Sequence, residues 1–420
     1  MLRSCVPRPF VASSIALGLL LSLLFAPAAV LAAEPPLGRA RVADLARAAP
    51  GARVATAEAG VARAATSAAG VLSLENPVLT GMGGVRLNPD GSKPAAAAAS
   101  IEWPIELGGQ RGERVAAAKA EQRAADIRAE DGRRRVLLAA LLQHALVLRD
   151  ERQVQLARAR VALAERLHAA AERQRKAGEV PEVDVTLALL QKGRDVAAAK
   201  AAEGTRDADK AALLAQLGLR APAAQALPVE GPLVPPGEPP PLASILGAVE
   251  RRPDVGAAEA SVDAARAKAA RERAAGWPTV NVVAQVEHDD GANIGMLGLA
   301  VPLPILNANR AGAATAAAEI DVARAHADAA RAGAVGQIHQ LYARYRATKE
   351  ALQALAPTAA LMEQAAAISA RGYELGEKDL ASVLLVRREV IEAEAALLEA
   401  EHAHAAAKIE LFVAAGRALR

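Results

Sequence analysis

Arg371-Gly-Tyr-Glu-Leu-Gly-Glu-Lys-Asp-Leu380, with the run that follows it to Gly416, decides the fold. From Val383 the apolar or small positions step by three and four: Val383, Val386, Val390, Ala393, Leu397, Ala400, His404, Ala407, Leu411, Ala414. This is a helical seam with one polar intruder, His404. A second stripe at spacing seven lies on another face: Leu384, Ile391, Leu398, Ala405, Phe412. A helix with one partner needs one seam, whereas a helix in a closed ring has a neighbour on each side and needs two. Arg387, Glu394 and Glu401 lie between the stripes and are expected to face water, as in a stave of a hydrated helical barrel. Gly376 falls where the preceding helix would end, so Leu375–Asp379 is expected to be a tight turn between antiparallel helices.

The same unit occurs earlier in the chain. Gly178-Glu179 precedes Val183-Asp-Val-Thr-Leu as Gly376-Glu377 precedes Leu380-Ala-Ser-Val-Leu, an offset of 198 residues. The offset recurs between Pro104 and Pro302. Ala57-Glu-Ala-Gly-Val-Ala-Arg matches Ala258-Glu-Ala-Ser-Val-Asp-Ala at an offset of 201. The chain is therefore read as a tandem duplication. Residues 34–226 form the first helix–hairpin–helix repeat, 227–241 a proline-rich crossover, and 242–420 the second repeat.

Aromatic residues are 2% of the chain and alanine is its commonest residue, a composition suited to long helices in close approach. Fifty basic and 47 acidic residues give a net charge of +3, with the two signs interspersed. Nothing in this pattern favours nucleic acid as a partner. At the N-terminus, Arg3 and Arg8 precede the apolar run Ile15–Phe25, and small residues follow to Ala33. Residues 1–33 are read as a secretory signal peptide, cleaved near Val30-Leu-Ala or Leu31-Ala-Ala. The single cysteine, Cys5, lies inside it and can neither bridge nor carry lipid in the processed chain. No later segment has the uninterrupted apolar length of a spanning helix, so a membrane could be crossed only by strands.

Two hairpins are expected. The clearer one begins Pro278-Thr-Val-Asn-Val-Val-Ala-Gln-Val-Glu-His. Val280, Val282, Ala284 and Val286 fall on one face, Asn281, Gln285 and Glu287 on the other. A turn at Asp289-Asp-Gly-Ala-Asn then leads into Ile294–Val301. Its partner is placed at Val71–Gly81 and Ala95–Trp103 around Gly83–Pro94. A first helix, Val42–Ala69, is broken near Pro50-Gly51. Arg111–Ala177 carries no proline and would make a rod about 100 Å long. Its counterpart, Ala311–Leu375, contains Pro357, which should kink or split it. Return helices run from Pro181 to Leu217 and from Asp379 to Gly416. Four strands cannot close a barrel, and open edges are intolerable in hydrocarbon, so a transmembrane reading requires an oligomer. The fold class is mainly α with one β-hairpin per repeat.

No catalytic constellation stands out. There is no P-loop, Gly-x-Ser-x-Gly, Cys-x-x-Cys or His-Glu-x-x-His pattern, so neither an enzyme nor a cofactor is expected. Gly81-Met-Gly-Gly lies in a hairpin and not before a βαβ helix. His402 and His404 sit two apart, on different helix faces. His288-Asp-Asp reads as turn chemistry. No metal site is expected.

Three features together resemble the TolC-like outer-membrane efflux family: the signal peptide, the duplicated halves, and Tyr373-Glu-Leu-Gly before a heptad helix. Two junctions resemble its heavy-metal (cobalt–zinc–cadmium exporter) branch: Trp103-Pro-Ile-Glu-Leu-Gly-Gly-Gln-Arg-Gly-Glu-Arg and Val301-Pro-Leu-Pro-Ile-Leu-Asn-Ala-Asn-Arg-Ala-Gly. The resemblance implies a homotrimer in outer-membrane lipid, with a shared transmembrane β-barrel and a long α-helical barrel in the periplasm. It implies a passive duct that receives metal ions or small toxic compounds from an inner-membrane pump of the resistance-nodulation-division type, through a periplasmic adaptor. It further implies that the two turns form a periplasmic gate of Glu179, Glu182, Asp184, Glu374, Glu377 and Asp379. Tyr373 and Lys378 would tie one turn to its neighbour, Lys378 by pairing with Asp184. Ser382 and Leu385 stand where the best-known channel has aspartates. The acids also suit a plainer role, since acids in a first helical turn complement the helix dipole. Two other functions remain open from the residues: the channel of a type I protein-secretion system, and a soluble periplasmic coiled-coil scaffold. A scaffold would cover the Val280–Val286 face; a barrel would expose it.

Overall fold

The computed structural model describes residues 35–220 and 226–416. The sequence-predicted signal peptide, 1–33, lies outside them. The elements below belong to the unit that starts at Leu37. Ala49 is extended, and Pro50 takes the first position of a new helix, where its missing N–H costs nothing. The expected first helix is thus two, α1 (Arg39–Ala48) and α2 (Pro50–Ala69). Strands β1 (Val78–Val85) and β2 (Ala95–Glu106) follow, then α3 (Gln110–Lys176) and α4 (Glu182–Leu217). The second repeat comprises a short α5 (Leu242–Leu246), a 3-10 turn, α6 (Pro253–Ala274), β3 (Thr279–Asp289), β4 (Ala292–Ala300), α7 (Arg310–Glu374) and α8 (Leu380–Ala414).

The repeats correspond in backbone detail. The long helices start after Gly109 and Asn309, both left-handed, and the return helices end before Gly218 and Gly416, both left-handed. α3 and α7 run the full length of a helical layer. Near the strands the packing order is α2–α3–α6–α7, and near the turns it is α4–α3–α8–α7. Two shorter helices thus lie end to end along each long one. The two stripes of α8 are both used. Ala407 and Leu411 pack with Ile338 and Tyr345 of α7. Phe412 packs with Leu141, Ala145 and Leu148 of α3.

Three sequence expectations change. α7 continues as one helix through Pro357, neither split nor stacked. A proline removes one backbone bond, and the packing of a 65-residue helix outweighs that loss. The first strand starts only at Val78 because Pro77 precedes it, and it runs on through Gly83 and Gly84, which were expected to be turn. Glycines of β1 pair with alanines of β2 (Gly81 with Ala99, Gly83 with Ala97), so the ladder is made by backbone with little side-chain patterning to advertise it. β2 continues through Pro104 to Glu106, where β1 has already ended and proline is tolerated.

The strands form one antiparallel sheet, β1-β2-β3-β4. β2 pairs with β3, joining the two repeats: Ile101 faces Ala284 and Trp103 faces Val282. Asp290 and Gly291, both at positive φ, make the two-residue type I′ turn between β3 and β4. The register places Leu79, Ile101, Trp103, Val280, Val282, Leu297 and Leu299 on one face. The other face carries Thr80, Ser100, Glu102, Asn281, Gln285 and Glu287. Leu79, Leu297 and Leu299 are 77%, 82% and 70% exposed, so no part of the described chain covers the apolar face. Among the described residues no helix is long and apolar enough to cross a membrane.

Midway along the helices the segment before α5 is strapped to the layer. Leu37 and Val229 form a parallel bridge, Arg39 donates to the carbonyl of Pro232 at 2.7 Å, and buried Lys408 donates to that of Pro235 at 2.6 Å. Beneath it His144 is fully buried and donates from Nε2 to the Leu37 carbonyl at 2.9 Å. Burial, reinforced by the charge of Arg39, pushes the imidazole from 6.5 down to about 4, although the Leu37 bond works the other way. The fold holds the neutral ring, so this contribution is complete above 6.5 and is lost as pH falls from 6.5 towards 4. Between pH 7.5 and 5 it should cost about 2 kcal/mol. Asp150, raised by burial to about 6, acts in the opposite sense and is common to any His144 variant. Unfolding free energies of the parent and His144→Gln at the two pH values isolate the ring. An equal loss in both proteins would refute the assignment.

Candidate functional site

The α3–α4 and α7–α8 turns meet at the end of the layer remote from the sheet, and their backbones match residue for residue. Gly178 N–H bonds to the Arg175 carbonyl and Glu179 N–H to that of Gln174; Gly376 bonds to Tyr373 and Glu377 to Gly372. These are paired Schellman closures, with φ of 79° at Gly178 and 77° at Gly376, where a side chain would be strained. Leu167, Ala170 and Ala171 of α3, Ala188 of α4, Ala370 and Tyr373 of α7, and Leu380 and Val383 of α8 pack as one cluster. The two turns are thereby locked into one body.

Within it the sequence-predicted residues divide. Glu179, Glu182, Glu377, Lys378 and Asp379 are exposed, Glu374 and Asp184 are half-buried, and Tyr373 is buried. Asp379 caps α8, accepting from the Ser382 N–H at 2.6 Å, and this bond holds its carboxyl below the usual range. The plainer role therefore accounts for Asp379. The Tyr373 hydroxyl is buried and has no hydrogen-bond partner among the described residues. Burial, and then the charge of Asp184, raises its pKa. The stem of Lys378 lies across Gly372, where an added Cβ would meet Lys378 Cγ at 3.2 Å. No ion pair joins Lys378 to Asp184 within the described chain. The acids are not alone: Arg173, Arg175 and Lys176 close α3, and Arg371 lies 3.3 Å from Glu374.

Sequence reasoning missed two features. Buried Gln174 donates to the Tyr373 carbonyl at 2.8 Å, tying the two turns together. Its signal was faint: at the repeat offset a large polar residue stands opposite Gly372. The second is a correction. Arg387 does not face water but is buried against Asp195 of α4, and donates to the Arg160 carbonyl of α3 at 2.9 Å. Glu394 accepts from Arg160 at 2.8 Å and is only partly exposed. Glu401 is half-buried, which raises its carboxyl. The face between the stripes of α8 is therefore packed on α3 and α4 at this level, and charge is used inside the layer. The nearest signal was the chain's excess of small residues, which let helices approach closely enough to enclose it.

The histidines lead elsewhere. His404 stacks on Tyr345 at 5.3 Å between centroids, and among the described residues no cluster of His, Cys, Asp and Glu could hold a metal ion.

A duplicated rod of helices carrying an uncovered apolar sheet can be compared directly with known proteins. The family model described as outer membrane efflux protein matches residues 246–417. Over that stretch, which spans the second repeat, the chain is similar to the outer membrane efflux protein family. It is 27% identical over 302 residues to the cobalt-zinc-cadmium resistance protein CzcC of Cupriavidus metallidurans, covering 70% of this chain and 71% of that one. A membrane protein from Pseudomonas aeruginosa superposes with a TM-score of 0.76 at 22% identity, over 90% of this chain and 93% of the other. CusC gives 0.74 at 17% identity, over 90% and 91%. The outer membrane protein VceC of Vibrio cholerae gives 0.74 at 18%, over 91% and 97%. The fold of the chain is that of these proteins in both repeats.

Proposed function

We propose that this protein is the passive outer-membrane exit duct of a tripartite pump, assembled from three copies. The observation that carries this reading is the four-stranded sheet, with one uncovered apolar face and two open edges, at one end of helices about 100 Å long. Three such sheets would make a twelve-stranded barrel without edges, with Thr80, Gln285 and Glu287 lining the water-filled side. The uncovered face argues against a soluble scaffold. The outermost helices of the layer support the same assembly. Val183, Leu187 and Leu190 on α4, and Leu361 and Ile368 on α7, form exposed apolar stripes at helical spacing. In a closed ring the α4 edge of one copy would meet the α7 edge of the next.

In this reading residues 1–33 direct export, the repeats 34–226 and 242–420 each supply one hairpin and one helical pair, and 227–241 crosses between them. The helices stand in the periplasm, and the locked turns form the docking end for an adaptor that leads to an inner-membrane pump. CzcC is named for cobalt, zinc and cadmium resistance; for this chain divalent metal cargo is the corresponding proposal. Native mass measurement on detergent-solubilised membranes should give three copies. A stable monomer in the soluble periplasm would overturn the assembly.

The gate is proposed at Glu179, Glu182, Asp184, Tyr373, Glu377, Lys378 and Asp379. Because the Tyr373 hydroxyl has no hydrogen-bond partner and Lys378 no ion pair among the described residues, Tyr373→Phe and Lys378→Ala should leave the packing of a single copy intact. Their effects, with those of Asp184→Ala, should then appear as larger or more frequent single-channel openings in planar bilayers. Unchanged conductance with a lowered melting temperature would leave these residues a structural role alone.

A further inference from the structure

The two repeats differ where a return helix ends against the next helix start. In the first repeat the junction is closed: Gly218, ending α4, abuts Pro50 of α2 so tightly that an added Cβ would lie 2.9 Å from the ring. At the equivalent junction of the second repeat no described residue lies within 4 Å of a Cβ added to Gly416, and α8 ends beside the Pro253 start of α6 across a cavity of about 610 Å³. The same sequence plan thus produces close packing once and an opening once.

The opening is lined by Arg47, Arg133, Arg134, Arg251 and Arg252 against one acid, Glu130. Two of these guanidiniums are engaged: Arg134 with Asp131 at 2.6 Å, and Arg47 with Asp44. Three have capacity left. Arg252 is 5% exposed. Its Nε and Nη2 bond to Asp254 at 3.0 and 2.6 Å, and Nη2 also to Gln337 at 2.7 Å. Its Nη1 is buried with no acceptor among the described residues. Arg133 reaches only the Thr56 hydroxyl, at 3.5 Å, and exposed Arg251 makes no side-chain ion pair among the described residues. A buried guanidinium N–H without an acceptor is costly to leave unmade. We propose that this junction binds a small oxyanion, phosphate or carboxylate, held by Arg133, Arg251 and Arg252.

Planar forks of N–H donors suit both classes of oxyanion. Glu130 and the carbonyl end of α8 lie on the wall and oppose an anion, which is why three unspent guanidiniums are required and not one. Leu137, Ala248 and Val413 leave room for the apolar body of an organic anion. The site lies among α1, α3, α6 and α8, inside the outer helices α2, α4 and α7 by which copies would meet in the proposed ring.

Isothermal titration of the detergent-solubilised full-length protein at low salt tests this, with sodium phosphate in one arm and sodium citrate in the other. At least one anion should bind one site per chain with a dissociation constant below about 1 mM, and the arm that binds names the chemistry. Arg251→Glu and Arg133→Ala, neither of which breaks an ion pair, should each weaken binding at least about tenfold with an unchanged anion-free melting temperature. Arg324→Ala, at a remote exposed site, should bind as the parent does. Absence of binding in both arms, or undiminished binding by Arg251→Glu and Arg133→Ala, would overturn the site.

Discussion

Val282→Arg will keep this protein out of the outer membrane. Val282 pairs with Trp103 on one side and Leu299 on the other, in the middle of the apolar face. An arginine near the bilayer midplane costs roughly 2–4 kcal/mol, and the proposed trimer would repeat the insult in each copy, for about 6–12 kcal/mol per barrel. That is comparable with the whole stability of many folded domains. Asn281→Arg, one residue away, will be tolerated. Asn281 pairs with Pro104 and Ala300 on the opposite face, where water is the expected solvent. Cell fractionation, with heat-modifiable migration on gels as the measure of assembly, distinguishes the two variants. Equal damage from both would mean that the faces of the sheet have been assigned wrongly.

Arg387→Ala should be the most damaging single change in the helical layer. Its guanidinium side chain is 5% exposed, and the carboxylate it pairs with, Asp195, is 8% exposed. Removing the cation strands Asp195 between helices with only Gln191 among the described residues, at 3.2 Å, to satisfy it. Breaking a buried pair from one side costs about 3–5 kcal/mol, because the remaining charge keeps its desolvation penalty. The double variant Arg387→Met/Asp195→Leu removes both charges and should recover most of the loss, as apolar replacement of a buried pair is often neutral. Denaturant unfolding of the parent, Arg387→Ala and the double variant supplies the measurement. A double variant no more stable than Arg387→Ala would show that Arg387 acts through its bond to the Arg160 carbonyl and not through Asp195.

These two predictions stand at different distances from the sequence. The alternation that places Val282 opposite Asn281 is a property of consecutive residues, since successive side chains of any extended strand point to opposite faces. The duplication, the paired glycine turns, the two stripes of α8 and the lengths of the rods are likewise local or periodic. Each was legible before any coordinates. The two turns were legible to the same degree: Gly178 and Gly376 announce them, and the acids beside them suit the first turn of a helix.

What was not legible depends on which segments meet. The strands β2 and β3 lie far apart in the chain, yet their pairing makes one sheet of two hairpins and brings Trp103 to Val282. Nothing periodic in either strand specifies that register. β1 was misplaced because a ladder of glycine against alanine is held by backbone bonds, which carry no side-chain signature. Arg387 was assigned to water because a charged residue is normally exposed unless paired, and its partner lies 192 positions away. Pro357 was expected to kink or split α7 because a local penalty is visible in sequence, whereas the lateral packing that keeps the helix in one piece is not. The open arginine-lined junction at Gly416 and the closed one at Gly218 come from nearly the same sequence plan. Periodicity and turn chemistry follow from neighbours in the chain. Partner choice, burial of charge and the presence of a cavity follow from the summed packing of distant segments, and they exist only once the helices have closed on one another.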